Sequence, residues 1–163
     1  MTVGMRMHVG NYLALLCESE GELARGFAVT ARRHGEDPDI AAISRRFARE
    51  CEGQLQRLTP LMSRYSEKRP HPADAVEMAV LRMTLFRGGR SGMLGVLRDV
   101  QDLWLLAQRV HLLALLLWQT GAALRDQELM AACANLREQT EGQIAWLLTR
   151  VKVDGPQIVI TAP

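Results

Sequence analysis

Apolar residues recur at every third or fourth position along most of this chain, which is the spacing of one face of an α-helix. The pattern is interrupted by three short segments rich in Pro, Gly and charged residues: HGEDPD at 34–39, SEKRPHP at 66–72 and RGGRSG at 87–92. β-Branched residues, which favour strands, gather mainly near the C-terminus. The sequence therefore predicts an all-α protein with helices at about 9–33, 38–65, 72–86, 93–124 and 126–153.

The breaks between these helices predict how the helices are connected. Tight turns join the first helix to the second and the last two helices to each other. The second and the third long helix are instead separated by a long crossover that contains the short helix at 72–86. Two hairpins joined by one long crossover form a known kind of four-helix bundle. We expect a single domain over residues 1–163, with an extended C-terminal tail, VDGPQIVITAP.

The charge and cysteine content argue against several classes of partner and compartment. The net charge is +2 and only 5% of residues are aromatic, so neither nucleic acid nor an anionic membrane is expected as a partner. The three cysteines form no CxxC pair, and MTVGMRMHVG lacks the features of a signal peptide, which predicts a cytoplasmic protein with reduced thiols. The most apolar run, 110–124, has 15 residues and is too short for a membrane span.

The tripeptide Glu-Gly-Gln occurs twice in predicted mid-helix, at 52–54 and 141–143. Because a mid-helix glycine costs roughly 1 kcal/mol relative to alanine, we expect it to admit a neighbouring helix or to leave a small polar cavity. On both helices the inward row is apolar except for one polar pair beside this tripeptide. The two predicted rows are Phe47, Cys51, Gln54, Leu58, Leu61, Tyr65 and Leu129, Cys133, Leu136, Thr140, Gln143, Leu147.

The interruptions of the apolar rows predict one polar layer across the middle of the bundle. On the first helix the interruption is Glu20, and on one of two plausible rows of the helix at 93–124 it is His111. Counting from the turns, with a rise of about 1.5 Å per residue, puts all the interruptions at a similar depth. The predicted central polar layer consists of Glu20, Cys51, Gln54, His111, Thr140 and Gln143.

The helical pattern from Met93 onward, and the segment LREQTEGQIAWLLTRVK at 136–152 in particular, resembles the ferritin-like superfamily and its YciF-like branch. The resemblance implies a ferritin-like four-helix bundle with a di-iron or di-manganese centre. Such centres are held by one Glu on each of two helices and a Glu-x-x-His on each of the other two.

Carried over to this chain, the two Glu-x-x-His motifs become Cys51-x-x-Gln54 and Thr140-x-x-Gln143. Glu20 matches one of the single glutamates, and His111 stands where the other would be. One carboxylate and one imidazole cannot offset the charge of two dications. We therefore expect that the metal centre is lost and that no cofactor is bound.

The function expected from this layer is non-catalytic, namely binding a small ligand or a partner protein, or serving as a subunit of an assembly. One alternative is an enzyme: a metal-dependent oxidase or hydroxylase with atypical ligands, or a metal-free acid–base catalyst that uses Glu20 and His111. In a second alternative, the helix at 126–153 is rotated by about one residue, which would turn Glu138 and Glu141 inward.

Apolar residues, Trp104 and Trp118 among them, cover almost every face of the helix at 93–124. This distribution predicts that one face of that helix meets a second subunit in a homodimer. Away from the layer, Glu22 is expected to be solvated and His34 to be exposed. The RGGRSG segment, with arginines on both sides, is expected to be a flexible hinge and not a phosphate site.

Overall fold

The computed structural model describes residues 7–65 and 67–163. In this part of the chain the protein is all-α, which confirms the predicted fold class, and it forms five helices with no strand. The helices are α1 (Met7–Arg33), α2 (Pro38–Met62), α3 (Pro72–Thr84), α4 (Gly92–Leu124) and α5 (Gln127–Thr161).

The turns within the two hairpins are fixed by side chains that cap the following helix. Asp37 accepts hydrogen bonds from the backbone N–H groups of Asp39 and Ile40 at the start of α2. Asp126 accepts one from Leu129 at the start of α5. Such bonds satisfy backbone donors that have no partner within the first helical turn. Arg125, just after α4, has a φ of 56° and reverses the chain in the left-handed conformation.

The four long helices pack side by side in a closed ring. α1 packs against α2 and α4, and α5 packs against the same two helices, while no backbone contact joins α1 to α5 or α2 to α4 within the described residues. Two pairings along each pair of helices give the direction: Ser19 with Arg109 and Arg33 with Asp99 for α1 and α4, and Cys51 with Gln143 and Gln54 with Gln139 for α2 and α5. Neighbouring helices therefore run antiparallel. α2 and α4 are therefore parallel, so a long crossover is needed between them.

The core lies inside this ring and is built mainly from aliphatic side chains. Phe27 and Phe47 pack across the α1–α2 hairpin with their ring centroids 5.2 Å apart, and the second ring also meets Trp146 of α5 edge-on. α3 lies outside the ring and contributes one buried residue, Met78.

The C-terminal segment is helical, so the predicted extended tail is wrong. α5 continues to Thr161 although Pro156 lies within it and cannot donate a backbone hydrogen bond. Gly155 and Ile158 are both buried, and a side chain at Gly155 would lie 3.8 Å from Leu97 of α4. Packing against α4 thus outweighs the strand preference of the β-branched residues in this segment.

α4 is long and apolar enough to cross a membrane by length and composition alone. Its most apolar window has a mean hydropathy of 1.3, and 44% of that window is buried inside the protein. The core helix of a soluble protein has the same properties, so this finding is weak support for a membrane span.

Candidate functional site

Every residue of the two predicted inward rows is buried, at most 6% exposed, including Tyr65, which lies just after the end of α2. Glu138 and Glu141 lie on the exposed side of α5, so the alternative register with inward carboxylates is wrong. The apolar residues determine this outcome, since a rotation that buried these glutamates would expose Leu136 and Leu147.

The deepest part of the polar layer is formed by Glu20 of α1, Cys51 of α2 and Gln143 of α5, all 0% exposed. Gln143 donates from Nε2 to Cys51 Sγ at 3.4 Å, and the same thiol lies beside the Glu20 carboxyl group. At this depth α4 contributes apolar side chains such as Val110. The buried polar side chains of the layer thus come from three helices, α1, α2 and α5.

Burial raises the pKa of Glu20 to about 8, and the adjacent Cys51 thiol only partly opposes this effect. Burial, followed by the nearby Glu20 charge, also raises the pKa of Cys51 well above its usual range. Burial raises the pKa values of Cys17 and Cys133 to about 12. Thiols held in the neutral form are poor nucleophiles, so none of these cysteines has the properties of a catalytic one.

Three buried acceptors in this cluster have no hydrogen bond of acceptable geometry within the described residues: both Glu20 oxygens and Gln143 Oε1. Thr140 is satisfied by its own helix, because its hydroxyl donates to the Leu136 carbonyl at 2.6 Å. A buried acceptor without a donor costs on the order of 1–3 kcal/mol. This cost is smaller when the carboxyl group keeps its proton, which agrees with the raised pKa of Glu20.

Gln54 lies at the edge of the layer and bonds to the outer part of α5. Its amide nitrogen donates to Gln139 Oε1 at 2.9 Å and to Asn135 Oδ1 at 3.1 Å. Gln54 therefore ties α2 to α5, and it is not oriented toward Glu20.

His111 does not join the layer. Its side chain is 23% exposed and faces α5, with Nε2 4.0 Å from Glu141 Oε1. No hydrogen bond or ion pair joins it to Glu20 in the described part of the chain. The buried face of α4 is centred on Val110, and a residue one position along the helix is turned by about 100°. Since α4 is apolar on most faces, its sequence does not reveal which row points inward.

A third copy of the repeated motif lies on α1 and was missed from the sequence. SEGEL at 19–23 aligns with CEGQL at 51–55 and TEGQI at 140–144. In each copy the first and fourth residues are buried, so Ser19 and Glu22 correspond to Cys51 and Gln54. The prediction that Glu22 is solvated is therefore wrong. Its carboxylate accepts hydrogen bonds from Arg25 and Arg82.

The glycines of the three copies have open space around them. A Cβ atom added at Gly21, Gly53 or Gly142 would meet nothing within 4 Å. Close approach of a neighbouring helix of this chain, one of the two roles expected for the glycines of the Glu-Gly-Gln copies beside that of leaving a small polar cavity, is therefore not the reason for these glycines.

A second buried polar group, which the sequence did not predict, joins the end of α1 to the start of α4. His34, expected to be exposed, is 0% exposed, and its Nε2 lies 2.9 Å from Asp99 Oδ2. Asp99 Oδ1 accepts from Arg33 at 3.3 Å and from Arg90 at 3.0 Å. Arg90 also donates to Asp102 at 2.6 Å. We call these five residues the His34–Asp99 cluster.

This cluster fixes the RGGRSG segment, so the predicted flexible hinge is held in place at Arg90. Asp102 also accepts from the backbone N–H of Phe86 at 2.9 Å, and Arg33 donates to the carbonyl of the same residue. Asp99 and Asp102 are spaced i and i+3 and are the two acidic residues of α4. Paired carboxylates of this kind, preceded by arginines, are the signal from which the cluster could have been predicted.

Within the described residues there is no group of three or more His, Cys, Asp or Glu side chains placed to hold a metal ion. Comparison with known proteins found no matching family model, no matching curated protein and no matching solved structure. The site must therefore be interpreted from its own chemistry.

Proposed function

We propose that this chain is a cytoplasmic, non-catalytic ferritin-like bundle that serves as a self-associating subunit and forms a homodimer through the outer face of α4. The observation that carries the proposal is a stripe of exposed leucines on that helix. Leu105, Leu112 and Leu116 are 50%, 65% and 43% exposed. Their spacing places them on one side of α4, and an exposed apolar stripe favours a protein partner.

A second copy of the chain is the partner that fits this stripe best. Beside Leu105 lies an apolar groove of about 320 Å³ between α4 and α5, with Trp104 and Leu148 in its walls. In a two-fold dimer each subunit presents the same surface, so leucines of one copy can enter the groove of the other. Association through such a surface is favoured by burial of apolar area.

The ferritin-like part of the proposal is supported by the connectivity. Two antiparallel hairpins joined by a crossover between parallel helices are the arrangement expected for that class. The donor set of the polar layer does not fit the di-metal centre of the class. In the described residues the polar layer has one carboxylate, that of Glu20, which lies beside the neutral thiol of Cys51 and the amide of Gln143. Several anionic oxygens are needed for two dications, so we derive no reaction through a metal.

Acid–base catalysis by Glu20 and His111 is not favoured either, since the two side chains face different neighbours. His111 lies near Glu141, whereas Glu20 lies beside Cys51. A general acid or base has to reach its reaction partner directly or through one water molecule.

The dimer is tested by replacing Leu112 with lysine. We expect the wild-type chain to be dimeric at micromolar concentration in size-exclusion chromatography with light scattering, and Leu112→Lys to be monomeric with unchanged helical content. Val76→Lys is the matched control, because Val76 of α3 is 67% exposed but lies away from α4. A wild-type chain that stays monomeric up to about 100 µM would contradict the proposal, since that concentration exceeds the Kd of a specific dimer.

A further inference from the structure

A cavity of about 100 Å³ lies between α1, α3 and α4, away from both the polar layer and the exposed face of α4. Its apolar walls include Val29, Leu85, Phe86 and Leu106. A water molecule requires two to four polar partners, so apolar walls favour an apolar occupant. A cavity of roughly 150 Å³ accepts a benzene ring in an engineered protein, so the present one suits a small branched alkyl group.

The polar part of the lining is formed by Glu22, Arg25 and Arg82. Glu22, with only 10% of its side chain exposed, accepts from Arg25 at 2.8 Å and from Arg82. The two guanidinium groups share this buried carboxylate, and Arg82 also pairs with Glu18 at 3.2 Å, so the two arginines are matched by two glutamates. Arg25 makes a single hydrogen bond with one of its five donors. A bound carboxylate would accept hydrogen bonds from the remaining donors of Arg25.

α3 covers this cavity and is held mainly by polar contacts. Its backbone packs against α1 alone among the helices, and Met78 is its one buried residue. Arg82 joins it to Glu22 and Glu18, and Glu77 joins it to Arg109 at 3.0 Å. A segment with so little buried apolar area opens more easily than the core helices do.

The wall formed by Phe86, two residues after the end of α3, is fixed by several contacts. Phe86 has a φ of 56°, a left-handed conformation that is unfavourable for a bulky residue. It persists because its N–H and C=O are both bonded and its ring packs closely over Gly26, where a Cβ would lie 2.6 Å from the ring. Backbone strain held in this way is frequent at ligand-binding sites.

We propose that this cavity binds a short branched monocarboxylate. Its alkyl group would lie against Val29, Leu85 and Phe86, and its carboxylate would bind Arg25 and Arg82. Glu22 orients the two guanidinium groups, and α3 opens to admit the ligand. This inference does not depend on the dimer through α4.

The test is a titration of the full chain with sodium isobutyrate, followed by ¹H–¹⁵N NMR. We expect saturable shifts at Gly26, Leu85 and Phe86 with a Kd of about 1 mM, which is attainable for six non-hydrogen atoms. Isobutylamine has the same branched four-carbon skeleton and the opposite charge, and should give no saturable shift. Equal binding of the amine, or no saturable shift with isobutyrate, would overturn the proposal.

The variant Arg25→Gln tests the proposed carboxylate contact without endangering the fold, because 63% of the Arg25 side chain is exposed. Loss of a charge-assisted hydrogen bond should weaken isobutyrate binding about tenfold. Arg45→Gln, also at an exposed arginine, is the control and should bind as the wild type does. Equal affinity in the Arg25 and Arg45 variants would contradict the assigned contact.

Discussion

Glu20 and Asp99 are both carboxylates with 0% exposure, yet their surroundings are opposite. Asp99 is bonded to His34, Arg33 and Arg90. Glu20 has a thiol beside it and no cationic partner among residues 7–65 and 67–163, so burial raises its pKa to about 8 and the group is mainly neutral at pH 7. The comparison teaches that the charge state of a buried carboxylate depends on its neighbours and not on its depth.

The two regions also differ in what they connect. The His34–Asp99 cluster joins the end of α1 to the start of α4 and to the segment before it, so each charge has a partner from another element. The Glu20 region joins α1, α2 and α5 through weak or missing hydrogen bonds. Removing the carboxylate should therefore have opposite consequences in the two regions.

The largest effect is expected for Asp99→Asn. The substitution removes the buried counter-charge of Arg33, one of the two carboxylates that pair with Arg90, and the carboxylate partner of His34. This should lower the free energy of unfolding by about 3–5 kcal/mol. Urea denaturation at pH 7 measures the loss. Asp154→Asn is the control, because Asp154 pairs with Arg150 at 3.2 Å near the surface and should change stability by less than about 1 kcal/mol. Similar small losses in both variants would remove the contrast with Glu20.

Glu20→Gln should stabilise the protein, and the gain should grow with pH. The unfolded chain releases the Glu20 proton near pH 4.5, whereas the folded protein keeps it until about pH 8. Wild-type stability therefore falls as pH rises between these values, by up to about 1.4 kcal/mol per pH unit from this group. The glutamine variant has no ionisable group at this position. The free energies of unfolding of the two proteins should therefore be similar at pH 5 and differ most at pH 8.

Urea midpoints measured from pH 5 to pH 8.5 test this pH dependence. Glu138→Gln, at an exposed position of α5, should leave the wild-type profile unchanged. If Glu20→Gln and the wild type show parallel profiles, Glu20 is ionised in the folded protein and the comparison with Asp99 fails.

The smallest effects are expected for alanine substitutions at two glycines, one beside the polar layer and one beside Phe86. Gly142→Ala, beside the polar layer, should raise the free energy of unfolding by about 0.5–1 kcal/mol, because the added methyl group meets nothing and alanine favours helix. Gly26→Ala should instead destabilise by about 1–3 kcal/mol, since its Cβ would collide with the Phe86 ring. Thermal unfolding of both variants measures the difference. A loss at Gly142 would reveal a close neighbour from another molecule.

The buried rows of α2 and α5 could be predicted because polar and apolar residues alternate clearly on those helices. Glu20 was found for the same reason, as it interrupts an apolar row. The inward face of α4 could not be predicted, because leucines and alanines occupy nearly all its faces, and His111 was placed in the layer wrongly. His34 was missed because its burial depends on Asp99, which lies in a different hairpin and leaves no local signal near HGEDPD.

The long crossover between the parallel helices α2 and α4 has a consequence for assembly. Each hairpin, α1–α2 and α4–α5, is local in sequence, and the α1–α4 and α2–α5 contacts join one hairpin to the other. Two chains that exchanged their α4–α5 hairpins would rebuild every one of these contacts. The crossover favours the unexchanged protein by keeping the effective concentration of a chain's own second hairpin high. A shortened crossover would lower that concentration and favour a domain-swapped dimer.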